Sequence, residues 1–232
     1  MTYYRYRFSF GYGLTPMVKN LIVIMVSVFL LQKILEISPS DINYYFTYYF
    51  ALVPILVWQK YFLWQLATYI FLHGGVFHLL FNLLALWMFG GELESYFGSK
   101  KFLRYFLFCG IGAGICTVLF TPNMYQPIPV IGASGAIYGI LLAFGWLFPN
   151  RPIYIYFLFP IPARYFVIIF GLIEFFSSME GPGGGVAHLT HLGGLLFGLF
   201  YMAYPTIRQK IRREYYKRKW PPKGPGGGGY YH

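Results

Sequence analysis

The stretch VIGASGAIYGILLAFGWLF, residues 130–148, decides the fold. It opens on small and polar residues, Gly132-Ala133-Ser134-Gly135, and then runs apolar to Phe148 without a single charge. A helix that is apolar all round, rather than along one stripe, belongs in a bilayer or a deep core. From Ser134 to Phe148 such a helix rises about 21 Å at 1.5 Å per residue. The hydrocarbon layer is about 30 Å thick. With its far end at the inner face, the helix leaves Ser134 roughly 10 Å below the outer surface. A hydroxyl at a helix start, sunk below the membrane surface, is what the rest of the chain has to explain.

The remainder of the sequence is of the same kind. Of its 232 residues 57% are hydrophobic, 23% aromatic and only 11% charged. Soluble domains carry about 25% charged residues, so an ordinary globular enzyme is excluded, as is disorder over most of the length. The expectation is an all-α polytopic membrane protein whose six apolar runs are 18–37, 78–97, 102–120, 134–149, 164–180 and 186–205, the fourth and fifth being short. These delimit a cytosolic segment at 1–17, a six-helix domain at 18–205 and a tail at 206–232. The segment 38–77, with Trp58, Trp64 and Tyr69, is rich in the aromatics that favour the membrane interface. The tail is basic and then Gly- and Pro-rich, which reads as a solvated end touching anionic lipid.

The formal charge of +11 does not point to nucleic acid, because the cations form short clusters between apolar runs rather than a stripe. With the N-terminus inside, sixteen of the eighteen Lys and Arg lie on the cytosolic side, against Lys33 and Lys60 outside. Both termini are therefore expected in the cytosol, in the plasma membrane of a prokaryote, with the first run retained as a helix. Cys109 and Cys116, about 10 Å apart along one helix, are too distant for a disulfide and read as small core hydrophobes.

In this topology the second, fourth and sixth helices begin at the same membrane face. Their first turns carry the unusual polar residues of the chain: His78 and Asn82, Ser134, and His188 and His191. Three prolines, Pro122, Pro127 and Pro129, exclude a regular helix before Ser134. Irregular backbone at that depth requires a protein-lined or water-filled hollow, so a hydrated pocket open to the outer side is expected. A helix N-terminus supplies free backbone N–H groups for an oxyanion. His78 and Asn82, four apart, can add hydrogen bonds, and His191 can take the Ser134 proton. Gly135 with Gly139, and Gly194 with Gly198, are small-xxx-small pairs that let helices pack closely. Among the acids, Glu174 alone is placed to reach a histidine, His188 being the expected contact. A Ser–His dyad is the simpler reading.

These residues resemble the rhomboid family of intramembrane serine proteases over about 18–205. The family's pattern is His-x-x-x-Asn, Gly-x-Ser-Gly and His-x-Gly-Gly-x-x-x-Gly on alternate core helices. Here it reads His78…Asn82, Gly132-Ala133-Ser134-Gly135 and His191-Leu192-Gly193-Gly194…Gly198. The resemblance implies Ser134 as nucleophile, His191 as its base, and an oxyanion site made by His78, Asn82 and the backbone at Ala133 and Ser134. It implies that Tyr138 packs beside His191 and that Glu94 holds the loop after the second helix. The expected activity is hydrolysis of transmembrane segments of other proteins without a metal or other cofactor, the fifth helix and the loop 181–185 admitting substrate. Where relatives often carry Trp-Arg in the first loop, this chain has Trp64-Gln65. Two rivals come from other classes: a metal enzyme or transporter using His78, His188 and His191, and a non-catalytic scaffold that binds helices.

Overall fold

The computed structural model describes residues 14–38, 41–121, 129–155, 159–179 and 185–219. Each of the six apolar runs forms a helix. The first is α1 (Pro16–Ile37), opened by a proline in its first turn, where the missing N–H is not needed. Three short helices follow, α2 (Ile42–Phe50), α3 (Pro54–Lys60) and α4 (Gln65–Thr68). Next, α5 (Val76–Ala85) continues through one π-helical turn, Leu86–Gly90, into α6 (Gly91–Phe97). Then come α7 (Ser99–Phe120), α8 (Ser134–Leu147), α9 (Ala163–Ser177) and α10 (Gly185–Lys219).

Three features differ from the expectation. Among the described residues only four helices are long and apolar enough to cross a membrane: Pro16–Ile37, Val76–Phe97, Ser99–Phe120 and Val186–Gln209. The other two, α8 and α9, have 14 and 15 residues. Their starts are set by backbone that cannot continue a helix: Gly132 at φ +119° before α8, and a proline-rich segment before α9. That segment is the second difference, because the fold is not purely helical. Strands β1 (Pro152–Ile155) and β2 (Phe159–Pro162) pair antiparallel with Ile153 opposite Ile161. The third is the tail. Instead of ending near 205, α10 runs past Pro205 to Lys219, through Lys and Arg residues of good helix propensity. Residues 122–128 and 180–184, expected as the descending segment and as most of the Gly-rich loop, lie outside the described residues, as do 1–13 and 220–232.

The centre of the fold is α7, which buries Phe102, Tyr105, Phe106, Cys109 and Ala113 completely. Its small residues admit α8 and α10. A Cβ on Gly112 would stand 2.1 Å from the Phe197 ring, and one on Gly139 would stand 2.5 Å from both Cys109 Cβ and Sγ. Both cysteines are buried and free. Between α8 and α10 the approach is closer still: a Cβ on Gly194 would lie 1.9 Å from the Gly135 carbonyl oxygen. Two hydrogen bonds tie the triplet together, Tyr105 Oη donating to Gly139 O at 2.6 Å and Thr117 Oγ1 meeting Thr190 Oγ1 at 2.7 Å. Hydroxyl and carbonyl groups buried among apolar helices need such partners. The outer faces of α1 and α9 expose Val23, Leu30, Ile34, Ile168, Leu172 and Phe176, a surface that suits lipid rather than water.

The first loop is pinned by side chains. Gln65 is fully buried. Its Oε1 accepts from Val53 N at 3.0 Å and its Nε2 donates to Tyr48 O at 2.8 Å. Trp58 Nε1 donates to Val118 O at 3.0 Å, fixing the loop to α7. The aromatic face of α2 stays outside, where Tyr45, Phe46, Tyr49 and Trp64 line an apolar hollow consistent with an interfacial position.

Glu94 sits at the far end of the bundle. Its carboxylate accepts from Thr15 Oγ1 at 2.5 Å, from Met17 N and Val18 N at 2.9 Å each, and from Ser99 Oγ at 2.5 Å. One buried anion therefore caps the N-terminus of α1, where the helix dipole favours negative charge, and closes the turn into α7. Nearby, Arg151 pairs with Glu92, linking α6 to the hairpin.

Two stability outcomes follow. Glu94→Gln removes the charge from four hydrogen bonds and should destabilise the protein by about 3 kcal/mol, read as a lower melting temperature in mild detergent. Gly194→Ala should destabilise by about 3 kcal/mol or more through overpacking. Gly75→Ala, where an added Cβ meets nothing within 4 Å, should melt close to wild type; equal losses at the two glycines would contradict the packing described.

Candidate active site

The segment leading to Ser134 is held by the first loop. Leu52 and Val130 exchange backbone hydrogen bonds of 2.9 and 2.8 Å, and Gly132 N donates to Tyr69 O at 2.9 Å. At φ +119° Gly132 occupies backbone space that L side chains rarely adopt. The chain turns there and starts α8 at Ser134, with the fully buried Ala133 as the N-cap residue. Ser134 is half-buried. The N–H groups of the first turn have no partner within the helix, so the serine stands among free donors.

Two residues of α5 face this turn. A Cβ on Gly132 would lie 2.5 Å from His78 Nε2 and 3.7 Å from Asn82 Nδ2. The ring of His78 meets that of His73 edge-on at 5.1 Å. Asn82 is 6% exposed, and its buried Nδ2 has no hydrogen-bond partner among the described residues. A sealed amide donor normally finds an acceptor, so this one is a polar group directed toward the turn before Ser134 with its hydrogen-bonding capacity unspent.

The third contribution comes from α10. The His191 ring stacks on Tyr138, centroids 4.4 Å apart and planes within 13°. Tyr138 is four residues after Ser134, hence on the same face of α8 one turn along. The Gly135–Gly194 contact brings the two backbones together at this level. At this end of α8 the structure places His78 and Asn82 against the Gly132 turn, Ala133 as the N-cap, and His191 on Tyr138, one turn from Ser134. Glu94 is remote from them, at the α1–α7 clamp.

Behind His191 lies a group that the sequence placed only against His188. Glu174 of α9 is 6% exposed. Tyr138 Oη donates to its Oε1, and its Oε2 lies 2.5 Å from His188 Nδ1 and 3.0 Å from His191 Nδ1. The His191 approach is close but poorly aligned, so that buried Nδ1 has no formed hydrogen bond. The metal rival invoked His78, His188 and His191 and lacked a carboxylate at their depth. In the structure Glu174 supplies the carboxylate and His78 is not in the group: the donor atoms of Glu174, His188 and His191 all fall within 4.8 Å of one another. An acid within an apolar run was the available sequence signal, since such residues face the bundle interior. The roles of Gln65 and of the Thr117–Thr190 pair had no comparable signal.

Comparison with known proteins places the chain in a family. The family model described as the Rhomboid domain matches residues 60–208. The chain is 38% identical to Rhomboid protease GluP of Bacillus subtilis over 144 residues, which cover 60% of this chain and 25% of that protein. It is 32% identical to mitochondrial Rhomboid protein 1 of Saccharomyces cerevisiae, covering 65% of this chain and 45% of that protein. It is also 32% identical to the Putative rhomboid protease YdcA of B. subtilis, covering 65% and 70%. The chain thus spans less than half the length of the first two of these relatives. A helical protein with four membrane-length apolar helices and this matching domain is an integral membrane protein, and it belongs to the rhomboid family.

Proposed function

We propose that the protein is an intramembrane serine endopeptidase that cleaves transmembrane segments of other membrane proteins, with Ser134 as nucleophile and His191 as general base. The observation that carries this reading is the stacking of His191 on Tyr138, one turn from Ser134 on the same face of α8. Ser134 Oγ attacks the scissile carbonyl carbon and its proton passes to His191 Nε2. The oxyanion formed is stabilised by the Ser134 N–H at the helix start, by the unpartnered Nδ2 of Asn82 and by His78. His191 returns the proton to the leaving amine, and an ester remains on Ser134. Water, deprotonated by His191, attacks that ester and releases the acid.

The substrate class follows from the setting. A helical substrate hides its carbonyls in intrahelical bonds, so segments that unwind easily present one at lower free-energy cost. Water enters from the outer side, above the short α8, while both termini lie in the cytosol of a prokaryotic plasma membrane, all six helices crossing it. The charge asymmetry of the loops supports that orientation.

A fluorophosphonate probe and a single-span test substrate check the chemistry. Wild type should label and cleave, Ser134→Ala should do neither, and His191→Ala should label only weakly. Asn82→Ala should lower kcat by roughly 100-fold, the effect of one oxyanion donor. Labelling that persists in Ser134→Ala contradicts the assignment, and a wild type that neither labels nor cleaves leaves the helix-binding scaffold.

A further inference from the structure

An ionised carboxylate among apolar helices is costly to keep unless it is paired, so the partners of Glu174 show why it is tolerated. They come from two other helices: Tyr138 from α8, and His188 and His191 from α10. The contact to Tyr138 and the 2.5 Å contact to His188 each satisfy one carboxylate oxygen. The third, 3.0 Å to His191, reaches the ring nitrogen on the far side from the one that has to face Ser134.

Resting on the serine-protease reading, we propose that Glu174 is the positioning residue of the site, accepting the Nδ1 proton of His191 and so leaving Nε2 with its lone pair free for the Ser134 hydroxyl. Neutral imidazole has one donor and one acceptor nitrogen, and the hydrogen bond made by one nitrogen selects the role of the other. When His191 takes the serine proton it becomes a cation, and Glu174 is the counter-charge beside it in a poorly screening interior. The proton stays on His191, and Glu174 remains a carboxylate throughout. Catalytic contacts are often misaligned without substrate, and the Tyr138 ring, parallel to His191 within 13°, lets the imidazole shift within its own plane toward Glu174. The same donors could bridge a divalent cation. Binding one there requires giving up the contact between Glu174 Oε2 and His188 Nδ1, and the proton-bonded arrangement is therefore preferred.

The test uses the full chain in mild detergent. Rates of fluorophosphonate labelling at Ser134 are compared for wild type, E174Q, H191A and E174Q/H191A, with kcat and KM measured on a single-span substrate and a melting curve for each variant. E174Q should label at least roughly 100-fold more slowly than wild type, the low end of what a working general base contributes, with kcat reduced and KM unchanged. In the H191A background the same substitution should have no further effect, because Glu174 acts through His191. Should E174Q lack a cooperative melt, E174D draws the charge back by one methylene and closes the same cycle, with the same dependence on His191. The inference is overturned if E174Q labels at the wild-type rate, if it slows H191A as much as wild type, or if EDTA abolishes wild-type labelling and Zn²⁺ restores it. Failure of the protease reading looks different: wild type and Ser134→Ala would then behave alike.

Discussion

Everything at the site depends on how closely two helix backbones can approach. At Gly135 and Gly194 there is no room for a single methyl group, since a Cβ on Gly194 would overlap the Gly135 carbonyl. Helices in lipid gain nothing from hiding apolar side chains from one another, because the solvent is equally apolar. Close backbone packing and interhelical hydrogen bonds hold them instead. Here that packing has a chemical consequence. It seats the start of α8 beside the second and third turns of α10, so Tyr138 and His191 stack and Ser134 lies one turn away. A bulkier residue at the crossing would separate the helices, and Tyr138 from His191 with them.

The second constraint is the shortness of α8. Fourteen residues rise about 20 Å, and the helix cannot start earlier because Gly132 takes a left-handed backbone. The turn is held from outside the helix, through Tyr69 O and the Leu52–Val130 pair, and those in turn depend on a first loop fixed by Gln65 and Trp58. An aromatic loop that looks like a membrane-surface decoration is therefore part of the support of the turn that starts α8 at Ser134. Glu94, at the other end, performs a comparable service for α1 and α7 with no part in the chemistry.

Much of this was legible in the sequence. Apolar runs marked α1, the α5–α6 pair, α7, α8 and α9 to within a few residues and the start but not the end of α10, and the glycine pairs marked which helices touch. The polar residues at three helix starts marked the candidate site. The misses have physical reasons. The shortness of α8 and α9 was read from the apolar runs themselves, but the β-hairpin between them was not, because its prolines mark only where a helix cannot run. Proline at 205 reads as a stop, yet the following Lys and Arg carry the helix on. The approach of Glu174 to His191 depends on the rotation of α9 about its axis, which no local pattern encodes. Gln65 could be seen to differ from its relatives, but its buried hydrogen bonds could not.

The central claim is spatial: the Ser134 hydroxyl and the His191 imidazole work together beneath the outer membrane surface. The most direct measurement is an experimental structure of the protein after reaction with a fluorophosphonate. The account predicts phosphorus bonded to Ser134 Oγ, its oxygen directed at Asn82 Nδ2 and the Ser134 N–H, and His191 still stacked on Tyr138 beside the adduct. An adduct on another residue, or one on Ser134 with His191 turned away and Asn82 without contact, would contradict it.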